Sequence, residues 1–93
     1  MKFSDWLNLS NDERDKMCQQ LNPYEDWDLF KAVEVEFISK FGNQPGVGKV
    51  FCGLGAGIGP INAITVEILP NSPRTTLPRR FLGFPVVKTH ARK

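Results

Sequence analysis

Gly42-Asn43-Gln44-Pro45-Gly46-Val47-Gly48-Lys49-Val50-Phe51-Cys52-Gly53-Leu54 is the stretch on which the fold turns. From Val47 the residues alternate, with Val50, Cys52 and Leu54 on one face and Lys49 and Phe51 on the other, which is the period of a strand. Immediately before it, the segment from about Asp26 to Phe41 carries Phe30, Val33, Phe37, Ile38 and Phe41 at helical spacing. Lys31, Glu34 and Lys40 fall largely on its other side. Gly42 is a natural stop for that helix. A helical part, residues 1–43, therefore gives way to a glycine-rich β part, residues 44–93.

Toward the C-terminus, Ala63 to Leu69 sets Ile64, Val66 and Ile68 together, and this strand is expected to pair with the first as a hairpin. Gly53, Gly55, Gly57 and Gly59, with Pro60 and Asn62, form the turn between them. Another turn-rich stretch, Pro70 to Pro78, leads to a third strand from Phe84 to about His90. Pro78 stiffens the entry, Gly83 permits a turn or bulge, and Pro85 belongs at an edge or at a non-bonded position.

Toward the N-terminus, Ser4 caps a first short turn through Asn8, with Phe3, Trp6, Leu7 and Leu9 as its apolar contacts. Ser10 and Glu13 make a capping box that opens a helix from Asn11 to about Leu21. Met17, Cys18 and Leu21 are its apolar side, and Asn22-Pro23 ends it. The fold expected is α+β: an N-terminal helical hairpin packed on a small, three-stranded, mainly antiparallel sheet, residues 1–93 forming a single domain. Such a sheet has an edge to protect, which invites dimerisation or strand addition by a partner.

Ninety-three residues leave room for one domain, and hydrophobic and charged shares of 41% and 24% exclude disorder or a fibrous repeat as the default. Charge is divided between the halves: residues 1–45 sum to −4, and residues 46–93, with Glu67 as their one acid, to +6. A split of this kind suits a polyanion, an acidic protein or the chain's own other half. Two cysteines, Cys18 and Cys52, and one histidine make neither a disulfide framework nor a four-ligand zinc set, so no metal and no cofactor is expected. Asp5 and the polar run from Asn8 to Lys16 interrupt any signal-like segment, and no run of 18 apolar residues occurs. The expected setting is reducing and cytoplasmic, with no membrane partner.

Catalytic patterns are poorly matched. Gly46, Gly48, Gly53, Gly55 and Gly57 never reach the spacing of a dinucleotide loop. Gly48-Lys49 lacks the first glycine of a phosphate-binding loop, and Val50 replaces its hydroxyl residue. Cys52 or Cys18 with His90 is the sole thiol–imidazole combination, and Cys52 sits on the apolar face of its strand. Nucleic-acid binding has a better basis, since Arg74, Arg79, Arg80, Lys88, Arg92 and Lys93 surround Phe81 and Phe84.

The words Gly46-Val47-Gly48-Lys49-Val50-Phe51-Cys52-Gly53-Leu54-Gly55, Ile64-Thr65-Val66-Glu67-Ile68, Leu77-Pro78 and Gly83-Phe84-Pro85-Val86 resemble a small bacterial α+β domain found alone or beside trypsin-like peptidase domains. The resemblance covers roughly half of the chain and contains no catalytic residue. It implies an α+β scaffold with a three-strand core; it does not imply protease activity.

The function expected is that of a non-catalytic protein-interaction module, an inhibitor, immunity or accessory factor, that engages an unknown protein partner or a second copy of itself. Its candidate interface residues are Trp6 and Trp27, if exposed, then Arg79, Arg80 and Phe81. The alternative is nucleic-acid or nucleotide binding through the basic C-terminal half, with Arg79 and Arg80 as the chief contacts.

Overall fold

The computed structural model describes residues 1–54, 61–70 and 75–90. Residues 55–60 of the expected glycine turn, residues 71–74 of the expected loop, and the basic residues Arg74, Arg92 and Lys93 lie outside the described residues. Three helices, α1 (Phe3–Leu7), α2 (Asn11–Met17) and α3 (Trp27–Phe41), pack on a four-stranded mixed sheet of β1 (Val47–Leu54), β2 (Asn62–Ile68), β3 (Arg80–Phe81) and β4 (Phe84–His90). The fold is α+β, as the change in residue pattern at Gly42 implies.

The capping box forms as read: Glu13 N–H donates to the Ser10 hydroxyl and Ser10 N–H to the Glu13 carboxylate. α2 then tightens into a 3₁₀ turn over Cys18–Gln20, earlier than the helix end expected at Leu21. α1 is opened by Lys2, not by Ser4, and has no side-chain cap. It is held by packing: Trp6 is fully buried against Phe84, and its indole N–H donates to the Leu82 carbonyl at 2.8 Å.

The strand order is β1-β2-β4-β3, which corrects the three-stranded expectation in two respects. β3 is a fourth strand, paired antiparallel to β4 through Arg80 with Pro85 and Phe81 with Phe84. β4 runs parallel to β2, Ile64 beside Val86 and Ile68 beside His90, whereas β1 and β2 pair antiparallel as expected. Antiparallel pairings thus remain the majority. β4 is an interior strand, so Pro85 is not at an edge; it precedes the start of the β2–β4 ladder at Val86, where a missing N–H costs nothing. Leu82 and Gly83, both at positive φ (50° and 86°), make the tight β3–β4 turn, the conformation a two-residue hairpin requires.

Residues from the helices and the sheet share one core. Phe30 meets Phe84 edge-on at 5.2 Å, Phe37 meets Phe81 at 5.4 Å, and Ile64, Val66 and Ile68 are buried beneath them. The α3 face is rotated from the one expected: Leu29 is fully buried and Ile38 is exposed. Asn62, assigned to a loop by sequence, is instead the buried first residue of β2. Its side-chain amide donates to the carbonyls of Cys18 and Leu21, satisfying acceptors left over at the end of the 3₁₀ turn. Among the described residues no helix is long and apolar enough to cross a membrane.

Candidate interaction groove at the sheet edge

The candidate interface residues separate in the fold. Trp6 belongs to the core and presents nothing to a partner, because its ring and its indole N–H are both used internally. Phe81 is half-buried against Phe37 and Phe41, with Lys40 Nζ 5.7 Å from its ring centre, so its faces are largely occupied. Arg80 donates to Asp15 at 3.2 Å and to the Gly83 carbonyl, joining the basic half to the acidic one. Arg79 is exposed. Trp27 alone among the aromatic candidates is open to solvent, at 60% exposure.

Trp27 stands in a groove that sequence reading missed. The segment after α2 turns on Asn22, whose side-chain oxygen accepts from the N–H groups of Tyr24 and Glu25. This Asx turn thrusts Tyr24 outward to 85% exposure. Asp26, at the entry to α3, accepts from Asn22 N–H and pairs with the Met1 ammonium at 2.7 Å. Its carboxyl is held below the usual range, first by the hydrogen bond from that ammonium. The first two turns of α3 then run beside β1, and between them lies a groove of about 420 Å³ lined by Tyr24, Trp27, Phe30, Lys31 and Glu34 on one wall and Phe51, Cys52, Gly53 and Leu54 on the other.

Glu34 brings a carboxylate into the groove. Glu34 reaches over the sheet edge to accept from Cys52 N–H at 3.2 Å, and its second oxygen accepts from Lys31 Nζ at 3.0 Å. Glu34 is therefore half-buried, not on the solvated side where its spacing put it. Cys52 N–H points away from β2, and among the described residues no strand pairs with this side of β1. Glu34 satisfies one of the open backbone donors that such an edge leaves. Phe51 lies across Gly53, where a Cβ would stand 2.7 Å from the ring. Glycine at 53 is what lets this exposed ring lie along the strand. Phe51 and Leu54 are 54% and 44% exposed, so four large apolar side chains border one concave edge.

The chemistry offered elsewhere is limited. Cys18 and Cys52 are free and buried; burial pushes the Cys18 thiol up to about 12 and the Cys52 thiol higher still. A thiol in that state is a poor nucleophile at neutral pH. Cys52 shares a row of the sheet with Ile64 and Val86, and His90 lies four residues further along β4, about 13 Å away by strand rise. The strand register thus keeps this thiol and imidazole out of hydrogen-bond reach. No group of three or more His, Cys, Asp or Glu side chains among the described residues converges to hold a metal.

Comparison with known proteins finds no family model, no curated protein and no solved structure that matches this chain.

Proposed function

We propose that this protein is a non-catalytic protein-interaction module whose contact surface is the groove between α3 and β1. The observation that carries the reading is the concentration of Tyr24, Trp27, Phe51 and Leu54 at an open strand edge. Aromatic side chains bordering a concavity are the usual anchors of protein interfaces, and a free strand edge supplies backbone hydrogen bonds to an extended partner. The alternative, nucleic acid bound through Arg79, Arg80 and Lys88, has less in its favour. Arg80 is engaged by Asp15 and Phe81 is enclosed by Phe37 and Phe41, which removes the stacking platform from the basic cluster.

A photo-reactive benzophenone side chain placed at Phe51 tests the choice. Protein–protein adducts are expected at Phe51, diminished by Trp27→Ala and absent when the probe replaces Arg79. Adducts to nucleic acid, or salt-sensitive retention of single-stranded DNA or RNA that Arg79→Ala abolishes, would favour the alternative.

A further inference from the structure

We propose that the occupant of the β1 edge is a second copy of this chain, docked about a two-fold axis so that the two four-stranded sheets become one. The inference rests on the groove being a protein contact and specifies the partner. Its basis is that both elements bordering the groove are self-complementary about the same point.

The strand comes first. Cys52 N–H faces away from β2, and in an antiparallel ladder the direction of backbone groups alternates, so Val50, Cys52 and Leu54 all turn their N–H and C=O groups outward. Antiparallel pairing of β1 with its own copy, centred on Cys52, sets Val50 of each chain opposite Leu54 of the other. The two Cys52 residues exchange N–H···O bonds. An isologous contact needs this reciprocity.

The helix repeats the symmetry. Its edge-facing positions, Trp27, Lys31, Glu34 and Ile38, read apolar, basic, acidic, apolar. Reversed by a two-fold axis, this row places Trp27 against the second copy's Ile38 and Lys31 against the second copy's Glu34, and both pairings share one midpoint. The midpoint lies one and a half helical residues from Glu34, about 2 Å along the axis. Glu34 touches Cys52, so the centre of the helix row and the centre of the strand coincide to within about one strand residue. A single axis serves both.

Space permits it. Strands that join lie about 4.8 Å apart, whereas packed helices need about 8–10 Å, so α3 must be set back from the edge. α3 packs nearest β1, and its Phe30 and Phe37 turn inward to Phe84 and Phe81, so the helix lies on the sheet side of the edge. On docking, Glu34 leaves Cys52 N–H to the second copy's Cys52 carbonyl and meets the second copy's Lys31. The exposed Ile38 side chain enters the groove beside Trp27.

Sedimentation equilibrium of the full chain tests this, with charge reversal at the axis. The wild type is expected to reach twice its 10.5 kDa as concentration rises. Lys31→Glu and Glu34→Lys, each alone, set like charges across the axis and should weaken the dimer at least about tenfold. Mixed in equal amounts, the two variants should recover it, because both pairs are then opposite in sign. An internal Lys31–Glu34 pair cannot be restored by mixing, so recovery reports the contact between chains. If either reversal unfolds the chain, Trp27→Ala with Ile38→Ala replaces it and should abolish the dimer while the helical signal stays. A chain that stays monomeric at millimolar concentration, or a dimer indifferent to these changes, overturns the inference. Phe51 adducts to other proteins, persisting in that monomer, would leave the interaction reading intact.

Discussion

Two tryptophans of the same sequence class have opposite roles, and their substitutions should separate them. Trp6→Ala empties a fully buried site and leaves the Leu82 carbonyl without its donor, so a loss of about 3–5 kcal/mol is expected in urea denaturation. Trp27→Ala removes an exposed ring and should change stability by no more than about 0.5 kcal/mol, while diminishing the Phe51 adducts. The thiols carry a pH signature. Their folded pKa values are raised, so above about pH 8.5 the unfolded chain ionises first and binds fewer protons than the folded one. Stability should therefore hold level up to that point and fall as pH rises beyond it, by at most about 1.4 kcal/mol per pH unit for each thiol. Replacing both cysteines with alanine should reduce that alkaline slope in a stability–pH series, leaving the part due to the Met1 ammonium, which its hydrogen bond to Asp26 also holds protonated to higher pH.

At the scale of elements, the turn between β3 and β4 and the edge of β1 are the places where single changes should act most sharply. Gly83 sits at a positive φ with Arg14 Cβ 2.6 Å and the Arg14 carbonyl carbon 3.0 Å from where a methyl group would stand. Gly83→Ala is expected to cost more than the usual ~1 kcal/mol of a left-handed glycine, on the order of 2–3 kcal/mol in thermal or chemical melts. Glu34→Ala uncovers Cys52 N–H. Its amide should exchange with deuterium at least about tenfold faster in dilute solution, while those of Phe51 and Gly53, which face β2, stay protected.

These elements also show how far the residues announce the structure. α3, β1 and β2 were legible because each carries a sustained period, 3.6 or 2, over seven or more residues. β3 was not: two residues contain no period at all. The parallel β2–β4 pairing was equally hidden, since alternation tells which face a residue occupies and not which way its neighbour runs. Ile38 was counted in the apolar row and Leu29 left out of it because the apolar residues of α3 spread wider than the buried stripe, and only the position of the sheet selects the stripe. Asn62 looked like a loop residue because asparagine is a turn former. Its buried role depends on the carbonyls of Cys18 and Leu21, more than forty residues away in the chain. The groove was illegible for the same reason, being made by Glu34 meeting Cys52 across the α3–β1 junction.

Across the whole molecule, the acidic helical half and the basic sheet half meet at the surface through Arg80 and Asp15, so part of the charge asymmetry is matched within the chain. Beside the β1 edge of the sheet lies an aromatic groove. The core on the other side is closed by Trp6, Phe30, Phe37 and Phe84, and the two thiols are sealed within it. The proposed contact surface is the β1 edge. Residue-resolved amide hydrogen exchange, recorded from micromolar to millimolar protein, tests that placement most directly. Protection of the outward-facing Val50 and Leu54 amides should rise with concentration while that of Lys88 and Thr89 in β4 stays constant; an unchanged β1 edge over that range, with protection appearing on β4 or around Arg79 instead, would contradict it.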